Sequence, residues 1–365
     1  MRRKVLFSIM VICLIIGCRK DVAFPPDGTE IPEAPASPVV FDPVAAPYPT
    51  LSDYGFFLAP MRDLEPVQGV LPYDVVTPLF SDHASKERFI WMPHGVSASY
   101  AGADEVLEFP ESTVLIKNFY YDGVQPGGGR RIIETRLMFL RNGIWEFANY
   151  VWNAAQTEAT LDMNGSFTPV TFLGQDGIQH EIQYRIPSAA ECKTCHKTHG
   201  DPVPIGPKPR NLRMDLSYPA GTMDQLAKWK EVGYLDPATP EGIVPVARWN
   251  DATADLQQRV RAYLDMNCAH CHTDGGHCDY RPMRFAYEDT VDDEAIGICV
   301  TPHEQLQPHH TRIVEKGNIE RSVLHYRLNS THEAERMPLL GRTVVHDEAL
   351  AMIEQWILSL GPPCD

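Results

Sequence analysis

Two short motifs contain the residue types that most clearly predict chemistry. They are Cys192-Lys193-Thr194-Cys195-His196 and Cys268-Ala269-His270-Cys271-His272. In each motif the two cysteines can form thioether bonds to the two vinyl groups of one porphyrin, and the histidine that follows can bind its iron. The spacing therefore predicts two covalently attached haem c groups, with His196 and His272 as the proximal iron ligands.

The same cysteines have two alternative interpretations. Paired C-x-x-C motifs can hold a structural zinc ion, with roughly 15–20 residues between the pairs, and a single pair can act as a redox-active dithiol. The interval between Cys195 and Cys268 is much longer than that. Neither use requires a histidine directly after each second cysteine, so haem is the preferred interpretation.

The N-terminus has the pattern of an export signal. Residues 2–4 are basic, residues 5–16 are apolar, and a small residue precedes Cys18. Residues 1–17 are therefore predicted to be a lipoprotein signal peptide, and Cys18 to be the lipidated N-terminus that holds the protein on a bacterial membrane. The apolar stretch is too short to cross a hydrocarbon core of ~30 Å as a helix. The protein is expected to face the periplasm, with the outer membrane favoured because Arg19 follows the lipidated cysteine.

Composition and net charge indicate which class of protein and which kinds of partner are compatible with the sequence. The 365 residues are 44% hydrophobic and 22% charged, which is typical of soluble globular domains. The formal net charge of −16 becomes more negative once the basic signal peptide is removed. Such a surface disfavours nucleic acid as a partner and suits docking to a basic patch on a redox protein, with simple solubility as the alternative. The membrane is expected to be reached through the lipid anchor only.

The remaining cysteines allow a disulfide. Of nine cysteines, Cys278, Cys299 and Cys364 belong to neither the signal, the lipidation site nor the haem motifs. In an oxidising compartment a Cys278–Cys299 disulfide is expected, with Cys364 unpaired. Three free thiols are the alternative.

The chain after the signal begins with a predicted tether and a β-rich region. Residues 18–50 are rich in proline and lack apolar periodicity, which predicts an extended, unpacked segment. Residues 51–245 contain short runs of β-branched and aromatic residues, separated by turn signals such as Asn142-Gly143. The runs are 114–121, 131–140, 144–152, 169–173 and 180–186. They predict an antiparallel meander that ends in a short helix carrying the first haem motif.

Residues 246–365 have the sequence plan of a class I cytochrome c domain. Apolar residues at 256, 260 and 264 predict a helix that leads into the second motif, and a closing helix is predicted over 350–360. Met337-Pro338 lies between them, which predicts Met337 as the sixth iron ligand. The expected fold class is therefore α+β with two domains: a β-rich haem domain at 51–245, followed by an all-α cytochrome c-like domain.

The sixth ligand of the first haem is not determined by a comparable motif. The candidates are His83, His94, Lys117, His180, His199, Met214 and Met223. An open iron is the alternative, and it would permit enzymatic chemistry.

Many segments resemble a sequence-defined family of bacterial dihaem c-type cytochrome lipoproteins. The resemblance extends from about residue 50 to 360. Besides both haem motifs, it rests on 71–73, 77–82, 114–119, 134–136, 150–156, 204–207, 210–212, 261–265, 297–299 and 337–341. The resemblance implies the iron ligands given above, His196, His272 and Met337. It also implies that a cysteine is typical at position 299 but not at position 278. Histidine at position 83 departs from the family, in which tyrosine is expected.

The resemblance also implies partners. Members of that family accompany a parallel β-helix repeat protein, and similar modules are attached to quinoprotein sugar dehydrogenases. The meander around 114–117 is also similar to the β-sheet haem proteins of the cytochrome P460 type, in which a lysine is cross-linked to the porphyrin. Lys117 lies in the similar segment, and a lysine on the solvent face of a strand is the alternative.

Together these features predict a lipid-anchored dihaem cytochrome c that accepts electrons from a dehydrogenase and passes them to a cytochrome or an oxidase. No catalytic residue is assigned. One alternative is a dihaem enzyme, such as a peroxidase or a nitrogen-oxide-converting enzyme, with an open first iron. The other is a haem-bearing scaffold or binding module.

Overall fold

A computed structural model describes residues 36–174 and 177–365. Residues Ala36–Asp365 form one compact unit, and its fold class is α+β, as predicted. The signal peptide, Cys18 and the first part of the tether lie outside the described residues. The domain boundary after residue 245 stays a prediction. Across the two described ranges, no helix is both long enough and apolar enough to cross a bilayer.

An antiparallel sheet of eight strands forms the larger part of the fold. Its strands are β1 (Val70–Tyr73), β2 (Ser85–Trp91), β3 (Val114–Val124), β4 (Gly129–Arg141), β5 (Ile144–Trp152), β6 (Ala159–Leu161), β7 (Ser166–Leu173) and β8 (Gln179–Ile186). The first six lie side by side in chain order, while β7 pairs with the end of β3 and with β8. Two small hairpins follow, β9 (Lys197–Thr198) with β10 (Asp201–Pro202) and β11 (Asp215–Tyr218) with β12 (Gly221–Asp224). The main sheet is therefore largely a meander.

The predicted strands are present, but three other strands of the main sheet and the four strands of the two small hairpins were not predicted. The five apolar runs correspond to β3, β4, β5, β7 and β8, whereas β1, β2 and β6 had no prediction. β1 contains Pro72, which lacks an N–H group and is tolerated because β1 is an edge strand. β2 opens with the polar run at 85–88, which has no apolar alternation. β6 is only three residues long.

The turn between β4 and β5 is the two-residue hairpin that its sequence predicts. Asn142 and Gly143 have φ values of 52° and 74°, and Arg141 pairs directly with Ile144. Left-handed conformation at both central residues is characteristic of a type I′ turn. The carboxylate of Glu111 accepts hydrogen bonds from both turn N–H groups, which fixes the hairpin further.

Six helices lie in the described part of the chain. They are α1 (Ala189–Cys195), α2 (Pro209–Leu212), α3 (Gln225–Glu231), α4 (Leu256–Leu264), α5 (Val323–Asn329) and α6 (Asp347–Ser359), with shorter helical turns at Leu51–Tyr54, Met61–Asp63 and Asp289–Val291. A wider helical turn at Asp265–Ala269 continues α4 into the second cysteine motif. Apart from isolated bridges, every strand of the described residues precedes Gln225. The predicted helices before and after Met337 are thus present, and the later one begins at Asp347.

Apolar side chains are buried on both faces of the sheet. Successive residues of a strand point to opposite faces, so Ile116 belongs to one cluster and Leu115 to the other. A third cluster surrounds α4 and α6 and includes Leu264, Ile353 and Trp356. Each large apolar side chain that is fully buried contributes about 1.5–3 kcal/mol, so the sheet and the helical region each have a substantial core.

Residues 36–50 pack on the sheet. The ring centroid of Phe41 lies 5.8 Å from that of Trp91 and 5.7 Å from that of Phe139, and Ala46 is buried. The prediction of an unpacked tether is therefore wrong for this stretch. Its few apolar residues are spaced irregularly between prolines, so they form no periodic pattern, yet they are enough to cover part of the sheet.

The disulfide prediction is wrong. Cys299 is bonded to Cys364, with the two Cα atoms 5.4 Å apart, and Cys278 is a buried free thiol. The C-terminal tail folds back onto the body, where the Cys364 N–H donates to the Glu315 carboxylate at 3.1 Å. The spacing of the cysteines in the sequence does not show that the C-terminal tail folds back to reach Cys299.

We expect a Cys299→Ser/Cys364→Ser double variant to be less stable by roughly 2–4 kcal/mol, because the bond closes a loop across a sequence separation of 65 residues. Guanidinium unfolding of the oxidised protein measures the difference. Wild-type protein under reducing conditions is the control and should unfold like the double variant. Equal unfolding midpoints for the variant and the oxidised wild type would contradict the assignment.

Candidate functional site

A capped helix at the end of the sheet positions the first cysteine motif. The Glu191 N–H donates to Ser188 Oγ at 3.4 Å, and the Ser188 N–H donates to Glu191 Oε2 at 2.8 Å, which is a capping box. Arg185 of β8 pairs with the same carboxylate at 2.8 Å. The start of α1 is thereby fixed to the last strand, and this places Cys192 and Cys195.

The ring of His196 is oriented for metal binding. Its Nδ1 lies 2.9 Å from the Val203 carbonyl oxygen, which can only accept, so Nδ1 carries the proton. Nε2 is then left with a free lone pair, as in many metal-binding histidines. Burial lowers the pKa of His196 to about 4, so the imidazole is neutral at neutral pH.

The first motif lines a cavity of about 1390 Å³, part of which is open to solvent. Its apolar walls come from both the sheet and the loops around the motif, for example Leu115, Met138, Phe147 and Ile205. Its charged lining is mainly positive: Arg88, Lys117, Arg136 and Arg185, with Glu191 as the acid. A flat apolar ring that carries carboxylate groups, as haem does, fits these walls and this charge.

The second motif is tied to distant parts of the chain. Asn267 Oδ1 accepts from the Phe80 N–H at 2.9 Å, and Asn267 Nδ2 donates to the Tyr263 carbonyl at 2.9 Å. The Asp265 carboxylate pairs with Lys208 at 2.8 Å. These contacts hold the turn between α4 and the cysteines in place.

The second motif and Met337 share one cavity of about 980 Å³. His272 is buried there, and burial is the main cause that lowers its pKa to about 4. His272 Nδ1 has no hydrogen-bond partner among the described residues. A neutral imidazole and a thioether are a donor pair that haem iron accepts. The structure therefore brings Cys268, Cys271, His272 and Met337 together.

Arg342 holds the loop that presents Met337. Its guanidinium donates to the carbonyl oxygens of Met337, Arg327 and Ser330 at 2.9 Å each, and to that of Val344 at 3.0 Å. The Met337 N–H in turn donates to the Arg327 carbonyl at 3.0 Å. No sequence pattern marks Arg342, because one arginine in an irregular loop has no periodic signal.

The two motifs meet in space. The ligand atoms of Cys195, His270 and Cys271 all lie within 4.8 Å of one another, and Cys271 Sγ is 3.7 Å from the Thr194 carbonyl. Cys195 and His270 line both cavities. Two sulfurs and an imidazole are also a donor set for Zn²⁺, with one cysteine from each motif.

The candidates for the sixth ligand of the first iron lie in different places. Of the seven, Lys117 lines the first cavity, whereas His83 and His180 line a separate cleft. His94 and Met223 are exposed, Met214 packs near Val246, and His199 lies against Gly275. Met138, Met266 and His270 also line the first cavity, although no sequence motif pointed to them.

Lys117 faces the first cavity rather than bulk solvent. Burial lowers its pKa well below the usual lysine value, and Arg88, Lys86 and Arg136 lower it further. Of the described residues, none is a hydrogen-bond or ion-pair partner of its amine, which lies 5.0 Å from the centroid of the Phe119 ring. An uncommitted amine is therefore part of the site.

His346 is a partly buried histidine that contacts Tyr263 of α4. Its Nδ1 lies 3.1 Å from the Tyr263 hydroxyl, its ring stacks on Phe80 at 4.0 Å, and Glu348 is 3.9 Å away. Burial lowers its pKa to about 3, with smaller effects from His83, Lys86 and Arg342. The folded pKa is below the unfolded value of about 6.5. Neutral His346 therefore contributes stability that is complete above pH 6.5 and is lost as the pH falls toward 3.

We expect a His346→Phe variant to lose less stability than the wild type between pH 6.5 and 3, by up to a few kcal/mol. Urea unfolding at pH 7 and at pH 4 measures the difference. A His94→Gln variant is the control because His94 is exposed. The same loss of stability on acidification in wild type and His346→Phe would show that His346 does not titrate in this way.

Comparison with known proteins does not assign a family. No protein-family model, curated protein or solved structure matches the chain. The family resemblance of the motifs therefore stays a prediction, and the proposals below depend on residue chemistry and geometry.

Proposed function

We propose that this protein is a dihaem c-type cytochrome whose function is electron transfer. The observation that carries this proposal is the convergence of two C-x-x-C-H motifs that are far apart in sequence. The motifs line two adjoining cavities that share Cys195 and His270, and the ligand atoms of Cys195, His270 and Cys271 lie within 4.8 Å of one another. When bound, haem c supplies one-electron redox chemistry at its iron.

The residues of each site would have distinct tasks. Cys192 and Cys195 would attach the first haem, and His196 would bind its iron through the nitrogen that its bond to Val203 leaves free. Cys268, Cys271 and His272 would do the same for the second haem. Met337 adds a soft thioether, which favours ferrous iron and a higher potential. The apolar walls of both cavities would limit access of water to the irons.

The proposal extends to architecture and partners. Residues 51–245 would be the β-rich haem domain and residues 246–365 a cytochrome c-type domain. A lipid on Cys18 would hold the protein on the periplasmic side of a membrane. A dehydrogenase would donate electrons, and a cytochrome or oxidase with a basic patch would accept them, because the chain is strongly acidic.

A redox titration of the purified protein, followed by mixing of the reduced form with hydrogen peroxide, tests electron transfer against the alternatives. We expect two one-electron transitions and no catalytic consumption of peroxide. Rapid turnover of peroxide would instead favour a dihaem enzyme. Tight binding of a partner without any redox change would favour a scaffold.

A zinc protein is the second candidate, since the ligand atoms of Cys195, His270 and Cys271 lie within 4.8 Å of one another. Structural zinc sites usually have four protein ligands. This group has three in the described residues, and it leaves Met337 and His196 without a role.

A further inference from the structure

Three polar side chains that line the first cavity have donors without partners among the described residues. They are Lys117, Arg136 and Asn149. Arg136 Nε and both amide atoms of Asn149 are buried and unbonded, and Asn149 is 1% exposed. Buried polar groups are nearly always hydrogen-bonded. Two such buried donors, Arg136 Nε and Asn149 Nδ2, beside the unpaired amine of Lys117 therefore indicate a missing acceptor.

These three side chains form a row. Lys117 of β3 is directly opposite Arg136 of β4, and Arg136 is directly opposite Asn149 of β5. Arg88 of β2 is opposite Lys117 and extends the row. Like charges at directly opposite positions destabilise a sheet, and here three basic side chains stand side by side.

The acids near the row neutralise only part of its charge. Arg88 pairs with Asp74, and Arg136 pairs with the buried Glu134. Lys117 has no ion-pair partner within 36–174 and 177–365. A buried charge without a partner costs several kcal/mol. The row therefore lacks the negative charge that a protonated Lys117 would need, and it lacks acceptor atoms for Arg136 and Asn149.

We propose that Lys117, Arg136 and Asn149 bind a carboxylate or a similar oxyanion in the first cavity. A carboxylate has two oxygens with about four acceptor positions, which is enough for these three donors. Its source is either a carboxylate of the haem itself or a small free anion. A haem carboxylate as the source rests on the proposed function, whereas a free anion does not. The row can therefore be tested even if no haem is attached.

The test compares Lys117→Met and Asn149→Leu with Lys228→Met in the full-length protein. The first two changes keep side-chain size and remove the donors. Lys228 is a matched control because it lies on α3, pairs with Glu231 and does not line the cavity. Acetate binding by calorimetry detects a free anion, and the reduction potential of the first haem detects its own carboxylate.

If the site binds a free anion, Lys117→Met and Asn149→Leu should weaken acetate binding by about tenfold or more, because hydrogen bonds to charged groups contribute about 1.5–3 kcal/mol. Lys228→Met should not change acetate binding. A site for the haem carboxylate predicts no acetate binding. In that case Lys117→Met should lower the equilibrium constant for reduction of the first haem about tenfold, or about 59 mV for one electron. Loss of a positive charge disfavours the added electron.

Either result supports an oxyanion-binding row. Acetate affinity and potential that both match the Lys228→Met control would overturn it. New binding of carbon monoxide to Lys117→Met would also overturn it, whatever the change in potential, because Lys117 would then be an iron ligand.

Discussion

A Met337→Leu variant is expected to lose the weak sulfur-to-iron charge-transfer band in the spectrum of the oxidised protein. The reduction potential of the second haem should fall by on the order of 0.1 V, which is within the range of about 0.8 V that changes of axial ligand produce. Leucine keeps the volume of methionine but has no sulfur lone pair. Met337 lines the same cavity as His272, and its loop is held by Arg342. Absorption spectra of the oxidised protein and a redox titration measure both effects.

The same cavity contains a matched control. Met283 also lines it, so Met283→Leu removes a sulfur from the same surroundings without touching the Met337 loop. It should keep the charge-transfer band and change the potential little. If Met337→Leu keeps the band while Met283→Leu loses it, then Met283 is the ligand and the assignment of Met337 is wrong.

Replacement of both Cys192 and Cys195 by alanine should reduce covalently bound haem from two groups per chain to one. Thioether attachment requires these sulfurs, whereas Met337, Cys268, Cys271 and His272 line the adjoining cavity and not the first one. The haem that remains should keep the charge-transfer band. Haem content of the denatured protein, measured as its pyridine complex, gives the stoichiometry.

Cys278→Ala is the control for this experiment, because Cys278 is a free thiol that also lines the second cavity. Its haem content should equal that of the wild type. Loss of both haems on replacement of Cys192 and Cys195 in a folded protein would show that the sites are not independent. Retention of both would show that the first motif does not attach haem.

Much of the sheet could be predicted because its signals are local. The strands β3, β4 and β5 are rich in β-branched and aromatic residues, and Asn142-Gly143 specifies the turn between the last two. β2 could not be predicted, because its first residues are charged and its pairing with β3 supplies the hydrogen bonds that make it a strand. The packing of Phe41 and the bond between Cys299 and Cys364 depend on chain segments that meet only in the folded state.

The candidate site divides in the same way. Each C-x-x-C-H motif is a local pattern, and Met337-Pro338 is recognisable from its place between two helices. The contact between Cys195 and Cys271 and the row that contains Lys117 arise from long-range packing and strand register. Arg342 acts through backbone carbonyls, which any sequence provides, so nothing in the sequence identifies its partners.

The intact mass of the full-length protein, purified after export and denatured in acid, tests the central claim most directly. We predict the mass of residues 18–365 with the lipid on Cys18 plus two haem groups, with Cys192, Cys195, Cys268 and Cys271 no longer reactive toward thiol reagents. An unmodified chain with four reactive cysteines at these positions, together with zinc in the native protein, would contradict the proposal and support the zinc site.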